Sequence, residues 1–129
     1  MVWYLDTSAL LKLVVAEEHS KAMRTWVRRH PAVVSSDLLR TETIRATRRF
    51  STEAVAAARV ALEGVDIGAI TSDLFERSAE LDPSILRTID ALHLGWALSL
   101  GDELEGIVTY DDRLAAAARI YGVRVLAPT

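Results

Sequence analysis

The chain has 129 residues, 50% of them hydrophobic and 26% charged, with a net charge of −3 and a pI near 5.6. That size suits one domain, spanning 1–129, with a core of its own; the acidic balance argues against a general nucleic-acid binder. The absence of cysteine excludes disulfides, thiolate metal sites and cysteine nucleophiles, and fits a reducing cytoplasm. No apolar run reaches the roughly 18 residues of a membrane span. LLKLVV is short and interrupted by Lys12, so neither an export signal nor a membrane partner is expected.

In chain order, VWYL reads as a short buried strand, followed by a helix over residues 8–15. Residues 20–29 form a helix with Ala22, Met23, Trp26 and Val27 on one face, stopped by Pro31. AVVSS is a second strand. Residues 37–49 are helical, capped by Ser36 or Asp37, and the alanine-rich residues 52–63 form a helix ended by Gly64. VDIGAI is a weaker third strand, residues 72–81 a helix, and Pro83 marks a loop. Residues 88–100 form a helix that is apolar nearly all round and should lie deep between neighbours. GIVTY is a strand, residues 111–121 a helix, and Gly122 the turn into a last strand, VRVLA. Strands and helices alternate over short connections. This predicts an α/β fold with a mostly parallel sheet and helices on both faces.

Four acids stand out: Asp6 in LDTSALLKL, Glu42 in LLRTETIRA, Asp90 in RTIDALHL and Asp111 in IVTYDDRL. Each has an ordinary structural reading. Asp6 and Asp111 precede helices and serve as caps; Asp90 sits in a first turn, where the helix dipole favours an acid; Glu42 is a good helix former. Together they say more. Asp6 and Asp111 stand at the C-terminal ends of predicted parallel strands, the edge where ligand sites of open α/β sheets gather. Glu42 shares an i, i+3, i+4 stripe with Leu38, Leu39, Arg45 and Ala46 that is expected to face inward. Asp90 lies on the helix expected to be most buried. Four carboxylates converging on one pocket repel unless a cation joins them, and all-oxygen donors suit Mg²⁺ or Mn²⁺. Ser8 and Thr109 are short hydroxyls beside Asp6 and Asp111, placed either to orient a carboxylate or metal-bound water or to cap the backbone.

In this order, LDTSALLKL, SSDLLRTETIRATRR, RTIDALHLGWA and IVTYDDRLAAAA resemble a PIN domain and, more narrowly, the VapC toxins of VapBC toxin–antitoxin modules. The resemblance covers nearly the whole chain, with residues 51–82 nonspecific. It implies a three-layer α/β/α fold and a divalent-metal endoribonuclease that hydrolyses phosphodiester bonds in structured RNA such as tRNA or rRNA. It also implies inhibition by a VapB-type antitoxin, homodimerisation and toxin–antitoxin hetero-oligomers. The metal-binding, catalytic acids it implies are Asp6, Glu42, Asp90 and Asp111. The chain departs from the pattern at Gly95–Trp96, where small residues are usual and a change of packing is expected. It departs again at the doubled Asp111–Asp112, where the T-x-D pattern selects Asp111. Arg113 replaces an acid that some PIN domains carry, so a second cation is not implied.

Only Lys12 and Lys21 are lysines, which speaks against aspartyl-phosphate phosphatases and receiver domains, since these need a lysine late in the chain. A PIN fold that binds RNA or protein without cleaving is the alternative, opposed by the intact acid set. Arg40, Arg45, Arg48 and Arg49 share a helix with Glu42, and Arg24, Arg28 and Arg29 cluster on an earlier one. They read equally as phosphate or antitoxin contacts and as solvated helix faces; Arg45 is closest in register to Glu42. His93, three residues after Asp90, reads first as a hydrogen-bonded core histidine. His19 and His30 read as superficial, and Trp3, Trp26 and Trp96 as core.

Overall fold

The computed structural model describes all 129 residues. Its elements are β1 (Val2–Leu5), α1 (Thr7–Val14), α2 (Ser20–Arg29), β2 (Val33–Ser36), α3 (Leu38–Thr47), α4 (Thr52–Glu63) and β3 (Asp66–Gly68), followed by α5 (Ser72–Ala79), α6 (Thr88–Leu98), a short 3₁₀ turn (Gly101–Glu103), β4 (Leu104–Val108), α7 (Asp112–Ile120) and β5 (Val125–Leu126). The five strands form one sheet in the order β3-β2-β1-β4-β5, and every pairing is parallel. All the elements read from the sequence are present. The differences fall at the ends: β2, β3 and β5 are shorter than their apolar runs, β4 lies two residues earlier than GIVTY, α1 starts and ends one residue early, and α3, α5, α6 and α7 stop one or two residues early.

Period-two alternation in β1 sends Trp3 and Leu5 to one side of the sheet and Tyr4 to the other. One core contains Trp3, Leu5, Leu10, Met23, Leu39 and Leu62 under α1–α4. The other contains Tyr4, Leu94, Ile107, Leu114 and Ala118 under α6 and α7. The chain is therefore a three-layer α/β/α sandwich, with α5 packed against α6. Two side chains of β2 tie it to its neighbour β1 beyond the backbone ladder: Ser35 Oγ donates to Leu5 O at 2.7 Å, and Ser36 Oγ pairs with Tyr4 Oη at 3.1 Å.

α6 is buried from Asp90 through Gly95, as its apolar sequence requires. Gly95 allows the close approach of α5: a Cβ there would stand 2.0 Å from Ser78 Oγ and 3.0 Å from Ser78 Cβ. Trp96 works through packing, as expected. Its ring lies over Gly68 and tilted against Tyr4, with centroids 5.7 Å apart, while Nε1 donates to Ala69 O at 3.0 Å. Two local expectations are corrected. Neither Ser36 nor Asp37 caps α3: Asp37 is already in helical conformation and its side chain accepts no cap hydrogen bond, while Ser36 turns to Tyr4. The inward stripe of α3 is Leu39, Thr43 and Thr47. Glu42 flanks that stripe, and Arg45 points to solvent.

Candidate active site

β1 and β4 are adjacent and parallel, so the turns after them lie side by side at the C-terminal edge of the sheet. Asp6 follows the first and Asp111 the second. α3 delivers Glu42 and the first turn of α6 delivers Asp90. All four acids, with Thr7, Ser8, Arg87 and His93, line one cleft of about 300 Å³. A larger hollow of about 670 Å³ lies against α2 and the C-terminus and holds none of the four. The cleft has the better claim to chemistry, because buried charge converges only there.

The cap reading and the site reading of Asp6 both hold, on different oxygens. Oδ1 accepts from Ala9 N at 3.1 Å, capping α1, and from Ser8 Oγ at 2.7 Å. Oδ2 accepts from Thr109 Oγ1 at 2.7 Å. The two hydroxyls are fixed in turn: Tyr110 N donates to Ser8 Oγ at 2.9 Å and Asp111 N donates to Thr109 Oγ1 at 3.0 Å. Ser8 and Thr109 thus orient a carboxylate and hold the neighbouring turn at once. Burial raises the Asp6 pKa above its ordinary value, and the Ser8 and Thr109 hydrogen bonds offset only part of that.

Asp111 divides its oxygens in the same way. Oδ1 caps α7, accepting from Arg113 N at 2.9 Å and Leu114 N at 3.3 Å, while Oδ2 faces Arg87 at 3.3 Å. Asp90, only 5% exposed, has its pKa raised by burial and then by the nearby Asp111 charge. Glu42 Oε1 accepts from Thr7 Oγ1 at 2.8 Å and meets His93 Nε2 at 2.6 Å. Burial pushes Glu42 up, but the hydrogen bond and charge of His93, with Thr7, outweigh it and leave the pKa below the ordinary value. On its other side His93 Nδ1 lies 2.6 Å from Tyr4 Oη. His93 is therefore the hydrogen-bonded core histidine the sequence suggested and also the group that positions Glu42.

Arg87 is the residue the sequence reading missed. Its Nε donates to Asp90 Oδ2 at 3.2 Å and its Nη2 to Asp111 Oδ2 at 3.3 Å. The signal was faint: an arginine three positions before Asp90, where i, i+3 side chains meet. Asp112 is exposed and does not line the cleft. Arg45 on α3 and Arg48 and Arg49 in the turn that follows it are exposed, outside the cleft lining, and pair with no acid of the chain.

The donor set is all oxygen, hard and partly desolvated, which suits Mg²⁺ or Mn²⁺, and a guanidinium already holds two of the acids as a cation would. As the side chains stand, no group of three or more His, Asp or Glu is arranged to hold one ion.

A three-layer α/β/α fold with four acids at its carboxyl sheet edge defines a class, and the comparisons agree with it: residues 3–120 match the PIN domain family. The chain is 42% identical over 127 residues to Ribonuclease VapC46 of Mycobacterium tuberculosis, covering 98% of this chain and 97% of that one. Similar solved structures include Mycobacterium tuberculosis VapC20, described as a sarcin-ricin loop cleaving toxin. It has a TM-score of 0.72 at 23% identity, covering 89% of this chain and 94% of that one. A toxin–antitoxin complex from Klebsiella pneumoniae has a TM-score of 0.74 at 23% identity, covering 98% and 97%. The chain belongs to the PIN-domain family and, within it, to the VapC proteins. No helix is long and apolar enough to cross a membrane.

Proposed function

We propose that the chain is a divalent-metal-dependent endoribonuclease, the toxin of a type II toxin–antitoxin module acting in the cytoplasm. The observation that carries this reading is the convergence of Asp6, Glu42, Asp90 and Asp111 on one cleft at the sheet edge. The ribonuclease name of the 42% identical relative supports it. Asp6, Glu42, Asp90 and Asp111 would hold Mg²⁺ or Mn²⁺. The chemistry such a cation supplies when bound is orientation of the phosphodiester, acidification of a water and neutralisation of charge on the leaving oxygen.

The chain's own residues do the rest. Ser8 and Thr109 fix both oxygens of Asp6, so the carboxylate does not turn away when substrate arrives. His93 and Thr7 fix Glu42 and keep it ionised. Burial of Asp6 and Asp90 strengthens their response to any positive charge entering the cleft. The substrate class is structured RNA such as tRNA or rRNA, read by local shape because a net charge of −3 gives little nonspecific affinity. The exposed Arg45, Arg48 and Arg49 supply phosphate or antitoxin contacts beside the cleft. A VapB-type antitoxin and a homodimer complete the partners.

The test is cleavage of total RNA by the purified chain with Mg²⁺, Mn²⁺ or a chelator. Asp6→Asn and Asp90→Asn should abolish cleavage with the fold intact. Undiminished metal-dependent cleavage by both variants would overturn the assignment. RNA binding without cleavage by the parent chain would establish the non-catalytic alternative instead.

A further inference from the structure

Arg87 is the one permanently charged cation among the residues lining the cleft. It holds Oδ2 of Asp90 and Oδ2 of Asp111 together, and its charge also reaches Glu42. The two sides of this bridge differ in freedom. The Asp90 side chain is 7% exposed and fixed in the first turn of α6, whereas the Arg87 side chain is 59% exposed. Arg87 stands just before the helix, in extended conformation, and its side chain makes no cap hydrogen bond. The guanidinium can therefore leave the cleft by rotating its own flexible arm, at the cost of two charge-assisted hydrogen bonds. The acids have no such exit. Without Arg87, the carboxylates of Asp90 and Asp111 would face each other with no cation joining them.

From this geometry we propose that Arg87 is a resident counter-cation that competes with the divalent ion for Asp90 and Asp111. The proposal rests on the metal reading given above. Guanidinium and metal ion need the same carboxylate oxygens, so loading requires Arg87 to swing out. Loss of metal returns it and keeps the two acids paired. An arginine serves this purpose better than a lysine, because its planar fork reaches both carboxylates at once and stays charged at any working pH.

The experiment is calorimetric titration of Mn²⁺ into the full-length chain, its Arg87→Gln variant and its Arg87→Lys variant, with melting temperatures recorded in chelator and in Mn²⁺. Competition predicts that Arg87→Gln binds Mn²⁺ about tenfold more tightly, the order set by no longer having to break two long, solvent-screened charge-assisted hydrogen bonds. It also predicts that Mn²⁺ raises the melting temperature of Arg87→Gln more than that of the parent, with Arg87→Lys between the two. Unchanged or weaker Mn²⁺ binding by a folded Arg87→Gln overturns the proposal and leaves the metal reading standing. No Mn²⁺ binding by any of the three chains overturns both. If Arg87→Gln does not fold, the comparison between the parent and Arg87→Lys decides in the same directions.

Discussion

Asp6→Asn should make the chain more stable at neutral pH while destroying its activity. The Asp6 carboxylate is 5% exposed and its pKa is raised by burial, so the fold disfavours its charged form. The sign follows from that direction. A carboxyl with a raised folded pKa supports the fold while protonated, and that support is lost as pH rises through the folded pKa. The amide removes the charge and keeps the contacts. Its oxygen takes the Oδ1 place and still accepts from Ala9 N and Ser8 Oγ. Its NH₂ takes the Oδ2 place and donates to Thr109 Oγ1. That hydroxyl then accepts from the amide and from Asp111 N, and donates to Ser8 Oγ 3.3 Å away. The one donor and two lone pairs of the Thr109 hydroxyl are then all used. The gain should be about 1 kcal/mol, the scale seen when a functionally strained group is relieved, or roughly 3–5 °C in melting temperature for a chain of this size. The assay is thermal unfolding of parent and variant in chelator, from the carboxylate range to neutral pH. The gap should open as pH rises and close at low pH, where the parent is protonated as well. A variant that melts below the parent at neutral pH, or a gap independent of pH, would refute the reasoning.

Glu42→Gln should act in the opposite sense, because the Glu42 pKa is lowered. Its contribution is present above the ordinary carboxylate range and disappears as pH falls through the folded pKa. The loss at neutral pH should stay below about 1 kcal/mol, since the side chain is 31% exposed and solvent screens it; a variant more stable than the parent at neutral pH speaks against the His93 pairing. Thr109→Val removes a hydroxyl that is 1% exposed and serves both Asp6 and Asp111 N. It should cost about 1–3 kcal/mol in urea unfolding and most of the cleavage rate; full activity would show that Asp6 needs no clamp. Gly95→Ala should cost about 1–3 kcal/mol by driving a Cβ into Ser78. Ser78→Ala, which removes a buried hydroxyl without a partner, should recover part of that loss in the double variant, and strict additivity would place the strain elsewhere. Arg45→Ala should weaken RNA or antitoxin binding and leave the melting temperature within about 1 °C, as expected of an exposed side chain; a matching loss of both would make it structural.

The elements and the acids were legible in the sequence for one reason. Hydrophobic periodicity fixes which segments are helices and strands, and parallel connections fix which edge their loops share. Asp6 and Asp111 were placed by that argument alone, and β1 and β4 are indeed adjacent. Glu42 was placed in the cleft by a stripe that was one position off, because Leu38 and Ala46 suggested an inward face that Leu39, Thr43 and Thr47 occupy. The expected stripe shared Leu39 with the observed one but took Arg45 and Ala46 where Thr43 and Thr47 are buried. The cap of α3 was misread for a related reason: Ser36 is a good cap by type, but it is fully buried and pairs with Tyr4 across the sheet.

The choice between cap and site was the wrong choice to pose. A carboxylate has two oxygens, and in Asp6 and Asp111 one of them closes the first turn of a helix, as the sequence suggests. The other is left for the cleft, and only three-dimensional placement shows what it meets. A cap helps to fix the carboxylate's orientation, so the structural function prepares the chemical one. The same logic explains why Arg87 was hidden. Thirteen arginines look alike in composition, and Arg87 is among those with exposed side chains. What distinguishes it is the pair of acid oxygens it joins, which come from β4's following turn and from α6, 21 residues apart in sequence. Local spacing could announce its contact with Asp90 but not that with Asp111, and the second contact is what turns an ordinary helix-end salt bridge into a cation at the centre of the site.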